Sequence, residues 1–66
     1  MIDYGPFWHT VESSGESWYS LSRKHLVNNN TLSRLRNNQP LNTSTIDRLC
    51  TLFCCDVSGI MRYRRD

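Results

Sequence analysis

Apolar positions in this chain recur at helical spacing, and residues that cap or break helices cut them into short runs. Phe7, Trp8 and Val11 stand at i, i+1 and i+4, one face of a helix. Pro6 falls at or near its first turn, where a missing N–H costs nothing. Gly15 follows where a residue of positive φ is expected to end it. The spacing therefore predicts a first helix over 6–14. Ser17 is suited to cap a second helix over 18–24, its hydroxyl accepting from an amide two or three residues on, with Leu21 and either Trp18 or Tyr19 turned inward. His25-Leu26-Val27 interrupts the pattern; Asn28 then supplies another cap, and Leu32 and Leu35 give a third helix its inner face.

Asn37-Asn38-Gln39-Pro40 is the strongest break, because Asn tolerates the left-handed region and Pro40 biases Gln39 away from α. Asn42 or Thr43 caps a fourth helix running to about Phe53, with Ile46, Leu49, Cys50 and Phe53 as its buried stripe. Leu41, just ahead of that cap, is placed to form a hydrophobic staple. Asp56 caps a last short helix containing Val57, Ile60 and Met61. Residues 1–5 read as an extended lead-in and 62–66 as a polar, fraying tail. No strand and no repeat is expected. The fold class is all-α, with about five short helices.

A chain of 66 residues has room for one domain, 1–66. At that size only about 60% of the unfolded surface is buried. With 38% hydrophobic residues and a mean hydropathy of -0.57, it can form a small helical core but not a cavity that encloses a substrate. The net charge of +2 decides little, but its distribution does more. Arg23, Lys24, Arg34 and Arg36 occupy one central block, and Asp3, Glu12, Glu16, Asp47, Asp56 and Asp66 lie outside it. A basic middle suits a polyanion, although a solvated helix face has the same look.

The third helix carries the candidate chemistry. With Leu32 and Leu35 inward, Asn29, Asn30, Ser33, Arg34 and Asn37 project from the other side. Three consecutive asparagines form helix poorly and are hard to explain by stability alone. Asn can pair bidentately with adenine in the major groove and Arg with guanine. A polar turn with a cap would account for the same run, and the residues by themselves do not choose between the two.

The spacing Ser17-x-x-x-Leu21 … Val27-Asn28-x-x-Thr31-Leu32-Ser33-Arg34-Leu35 resembles the Cro/CI-type helix-turn-helix of phage repressors and xenobiotic-response-element-like regulators. A small bacterial and phage subfamily is closer still. Its pattern is matched by Phe7-Trp8, by Thr45-Ile46-Asp47-Arg48-Leu49-Cys50 and by Cys55-Asp56-Val57-Ser58-Gly59-Ile60-Met61-Arg62-Tyr63. The resemblance implies a compact five-helix, lambda-repressor-like domain with the helix-turn-helix over about 17–37. It implies that Asn29, Asn30 and Arg34, with Ser33 beside them, reach base edges of double-stranded DNA. Asn28, Asn37 and Asn38 fall where such domains grip phosphates, and Ser17 and Trp18 where the start of helix 2 meets the backbone. Two residues depart from the pattern: Trp18 stands where Gln is common, and Leu26 where the turn usually has Gly.

Other chemistries find little support. Cys50, Cys54 and Cys55 are an odd, clustered set, poor as a disulfide framework and short of a zinc ligand pattern. Small packing residues are the expectation for them, ahead of redox sensing and metal binding. His9 and His25 show no ligand pairing with them, and no nucleophilic triad, carboxylate pair or phosphate loop is evident. The expectations are a cytoplasmic, sequence-specific DNA-binding regulator, a repressor, with no enzyme activity, cofactor, metal or membrane span. A homodimer would use the region of helix 4, Met61 and Tyr63. The rival is a protein-interaction module, antitoxin- or antirepressor-like, on the same fold.

Overall fold

Helices form in this chain where a capping side chain precedes an apolar stripe. The computed structural model describes residues 1–65. The elements run β1 (Ile2–Asp3), α1 (Gly5–Ser13), α2 (Trp18–Arg23), α3 (Asn29–Arg36), α4 (Thr43–Phe53), a single 3₁₀ turn (Val57–Gly59) and β2 (Arg62–Tyr63). Helix α1 starts one residue before Pro6, and the Asp3 carboxylate accepts from the Gly5 amide at 3.1 Å. Ser17 opens α2 through a reciprocal capping box with Ser20. The Asn28 side chain accepts from the Asn30 amide at 2.7 Å to open α3. At α4 the cap is Asn42, not Thr43; its Oδ1 accepts from the Thr45 amide and from the Ser44 and Thr45 hydroxyls.

Three helices end the same way. A left-handed residue follows α1, α3 and α4: Gly15 (φ 72), Asn38 (φ 54) and Cys54 (φ 51). The next amide then reaches back five residues to a helix carbonyl: Glu16 to Val11 at 3.0 Å, Gln39 to Arg34 at 2.8 Å and Cys55 to Cys50 at 3.0 Å. These bonds satisfy carbonyls that the helix itself leaves free. The turn between α2 and α3 is wider, with the Val27 amide on the Leu21 carbonyl at 2.9 Å and Leu26 left-handed between them (φ 56).

The buried side chains form one cluster drawn from every helix. Phe7 and Val11 come from α1, Leu21 from α2, Leu32 and Leu35 from α3, and Ile46 and Leu49 from α4; Tyr4, Val27 and Ile60 complete it. Phe7 lies at the centre, its ring edge-on to Trp8 at 4.9 Å and to Phe53 at 5.8 Å. Trp18, not Tyr19, is the α2 aromatic that turns inward, for Tyr19 is 71% exposed.

Two expectations need correction. The described residues hold four α-helices, not five, because the segment after Asp56 makes only a 3₁₀ turn. Asp56 does cap it, accepting from the Val57 amide at 2.8 Å. Ile60 is fully buried but lies beyond the turn, and Val57 is exposed. The chain is drawn straight out of the turn to pair with the N-terminus, which leaves no length for an α-helix. The second correction concerns the ends. Residues 62–64 do not fray but follow the N-terminal segment in an antiparallel ribbon, Ile2 opposite Tyr63 and Asp3 opposite Arg62, while Asp66 at the end of the expected tail lies outside the described residues. Arg62 Nε donates to Asp3 Oδ2 at 3.1 Å, and the Arg64 amide donates to the Met1 carbonyl at 2.8 Å. A pairing of two-residue strands separated by almost the whole chain leaves no periodic trace in sequence.

The cysteines are free thiols. Cys50 and Cys55 are half-buried, and burial pushes the Cys55 thiol pKa up, as packing residues would show. Cys54 differs: it is exposed, at the left-handed end of α4.

Candidate nucleic-acid interface

At about 100° per residue, α3 divides its exposed side chains into a ridge and two shoulders. Asn30, Ser33 and Asn37 lie opposite Leu32 and Leu35 and form the outermost ridge. Asn29 and Arg36, seven residues apart, share the shoulder toward the start of α2. Contacts mark this shoulder directly. Trp18 Nε1 donates to Asn29 Oδ1 at 3.3 Å, and the Arg36 guanidinium lies 5.9 Å from the Trp18 ring centroid. Arg34 occupies the other shoulder, its Nη1 donating to the Pro40 carbonyl at 3.2 Å.

The structure thus brings all four expected base-reading residues, Asn29, Asn30, Ser33 and Arg34, onto exposed parts of one helix. It gives them different degrees of freedom. The Asn30 amide is held by the cap, but no bond from its side chain is found among the described residues, whereas Asn29 and Arg34 each have one polar atom engaged. Asn37 donates through Nδ2 to the Ser33 carbonyl at 2.9 Å.

The expected phosphate-contacting residues divide in the same manner. Ser17 Oγ accepts from the Ser20 amide at 3.2 Å and keeps its proton to donate. Asn28 caps through its oxygen and keeps its NH2. Asn38 is half-buried; its Oδ1 accepts from the Tyr4 amide at 3.0 Å, which ties the end of α3 to the start of α1. The one side-chain donor of Trp18 is engaged by Asn29, so a phosphate contact from its indole requires that bond to open.

The local charge is favourable to an anion. No Asp or Glu occurs between Ser17 and Ile46, and that stretch contains Arg23, Lys24, Arg34 and Arg36. Its caps are Ser17, Asn28 and Asn42, all neutral. An aspartate would cap as well and would complement the helix dipole, but it would repel a phosphate. Glu16, just outside, is turned to Ser20 and His25. Its carboxylate accepts from the Ser20 hydroxyl at 2.7 Å and lies 3.4 Å from His25 Nε2. The Ser20 bond, then His25, holds the Glu16 pKa below its usual value.

Sequence reasoning missed three contributors. Arg48 of α4 donates to the Leu26 carbonyl at 3.4 Å and so braces the turn. Trp8 stacks on Trp18 with ring centroids 6.0 Å apart and 9° between planes, and its indole N–H donates to the Leu35 carbonyl at 3.3 Å. Arg36 is the third. Its seven-residue spacing from Asn29 was a usable signal; the contacts of Trp8 and Arg48 join separate helices and left none.

Residues 12–66 match the family model of the Cro/C1-type HTH DNA-binding domain. The chain belongs to this family. No curated protein and no solved structure matches it significantly. As a Cro/C1-type domain it is a double-stranded DNA-binding regulator. The matched region excludes β1, Tyr4 and most of α1, including Phe7 and Trp8. Among the described residues no helix is long and apolar enough to cross a membrane, and no cluster of three or more His, Cys, Asp or Glu side chains could hold a metal.

Proposed function

We propose that this Cro/C1-type domain binds a specific operator through α3 and represses transcription by occupying it. The observation that carries the reading is the stretch from Ser17 to Ile46, which has four basic residues and no carboxylate around a helix whose outer ridge is amide and hydroxyl. Asn30 and Ser33 on the ridge, with Asn29 and Arg34 on its shoulders, read base edges. Ser17, Asn28, Asn37 and Asn38 donate to phosphates and set the register. Arg34 exchanges its bond to the Pro40 carbonyl for a guanine edge, to which a guanidinium can donate twice.

Residues 1–66 act as one domain around the single apolar cluster, and two copies bind half-sites about 34 Å apart. Exposed Val57 and Tyr63 and half-buried Met61, in the C-terminal part of the chain, support that pairing.

A mobility-shift titration across salt tests the proposal. With four to eight phosphates contacted, log affinity should fall with log salt at a slope of about -4 to -7. Arg34→Ala should relax preference at one base pair by about 1–3 kcal/mol; uniform weakening on all sequences would make Arg34 a phosphate contact instead. Absence of duplex binding at low salt would sink the reading in favour of a protein-interaction module on the same fold.

A further inference from the structure

Helix α4 ends in a motif whose side-chain contact is made by two cysteines. Cys54 takes the left-handed step (φ 51), and the Cys55 amide reaches back to the Cys50 carbonyl at 3.0 Å. A helix end of this kind commonly brings together the side chains at the two ends of that bond, as an apolar contact. Here it sets two thiols side by side, close enough that Cys50 is the next cause after burial of the raised Cys55 pKa. Gly59 backs the second thiol so closely that a Cβ there would lie 3.1 Å from Cys55 Sγ. Neither sulfur is sealed in. Both line a surface groove whose other walls include the Met61 thioether and the carboxylates of Asp47 and Asp56.

We propose that Cys50 and Cys55, with Met61 beside them, form a binding site for a soft monovalent metal cation, copper(I). Thiolate and thioether sulfur select such an ion, whereas carboxylate and water suit hard ones. Zinc is disfavoured by ligand count. It takes a closed tetrahedron of nitrogen, oxygen or sulfur ligands, and among the described residues no three His, Cys, Asp or Glu side chains come together to start one. Copper(I) is satisfied by a pair of thiolates, or by the pair and a thioether. Asp47 and Asp56 then contribute charge rather than bonds, making the groove attractive to a cation. Each thiol releases its proton to solvent as its sulfur ligates, and no oxidation state changes. Cys54 stands apart, outside the groove lining, its thiol turned to the Thr51 carbonyl at 3.9 Å. Cys50 lies about 200° round α4 from Arg48, and Arg48 is the residue that reaches the Leu26 turn. The site therefore faces away from that turn.

Anaerobic titration of the reduced chain with copper(I), buffered by a chromogenic chelator, tests the site. The wild type should withdraw one ion per chain from the chelator and gain melting temperature as it does so. Of its three thiols only Cys54 should then stay open to a thiol reagent. The methyl resonance of Met61 should move on loading while that of Met1 stays in place. Cys50→Ser and Cys55→Ser should each abolish the transfer, and Cys54→Ser should leave it unaltered. Met61→Leu conserves side-chain volume and should weaken binding by about ten-fold. Melts of the metal-free variants show which are folded. Should both serine variants at 50 and 55 fail to fold, C54S, M61L and the Met61 resonance decide, and there an altered C54S, an unchanged M61L or an unmoved methyl overturns the site. No transfer to the wild type, full transfer to a folded C50S or C55S, or displacement of the bound ion by equimolar zinc(II) would each overturn it as well.

Discussion

Leu26 and Gly15 hold the same kind of backbone conformation at opposite cost. Leu26 has φ 56 and is 74% exposed, so its side chain gains little burial in return for a left-handed backbone. That region costs a side-chain-bearing residue about 1–2 kcal/mol, partly offset by the larger entropy glycine would lose on folding. Leu26→Gly should therefore stabilise the domain by up to about 1 kcal/mol, or several degrees in melting temperature. Gly15, with φ 72 and open space where a Cβ would lie, shows the reverse. Gly15→Ala should cost about 1 kcal/mol through the backbone alone. Thermal melts of both variants check the pair, and a destabilised L26G would mean that the exposed leucine is held by a contact. Gly15 was legible from its place after an apolar stripe. Leu26 was legible only as a departure from a family pattern, since a leucine carries no local signal for a left-handed turn.

Among the elements, α2 depends most on its cap. It has only six residues, far fewer than an isolated helix needs, and its first turn closes through the Ser17–Ser20 box. Ser17→Ala should destabilise the domain by about 1 kcal/mol, read from urea unfolding. Helix α3 poses the opposite case. Asn30 is a poor helix former on the exposed side of α3, where its side chain makes no hydrogen bond among the described residues. Asn30→Ala should leave stability unchanged or raise it by about 0.5 kcal/mol while weakening operator binding. A loss of stability instead would return the asparagine run to a merely structural role. The four α-helices were legible because each has an apolar stripe, with a capping side chain ahead of α2, α3 and α4 and a break after α1 and α3. The last turn carried the same cap signal at Asp56, but there the tertiary pairing of the ends took the residues an α-helix would need.

For the molecule as a whole, the ribbon that joins the two ends and the bond that ties Glu16 to α2 both depend on carboxylates. The Gly5 amide, against the opposing effect of burial, and then Arg62 hold the Asp3 pKa below its usual value. The Ser20 hydroxyl and His25 do the same for Glu16. A depressed folded pKa contributes stability that is complete above the unfolded value and lost as pH falls through the folded one. Stability should therefore hold from neutral pH down to about 4 and decline below it. Asp3→Asn and Glu16→Gln should each flatten that acid limb, as denaturant midpoints across pH would record. If both variants kept the full acid dependence, the carboxylate bonds would contribute nothing to it. The ribbon also ties β2, inside the region that the Cro/C1-type family model matches, to β1, which lies outside it.

What this chain determined by itself is local. Hydrogen-bonding side chains at Ser17, Asn28 and Asn42, apolar spacing at Phe7, Leu21, Leu32 and Leu49, and breaks at Gly15 and Asn38 specify four helices, because caps and periodicity act over a few residues. The exposed amide ridge of α3 follows from the same spacing. Tertiary structure decided what required distant residues to meet. It paired residues 2–3 with 62–63, set Asn38 under Tyr4 and Arg48 under the Leu26 turn, and stacked Trp8 on Trp18 beside Asn29. The bond of the Asn29 side chain to an indole eleven residues away on another helix is of this second kind.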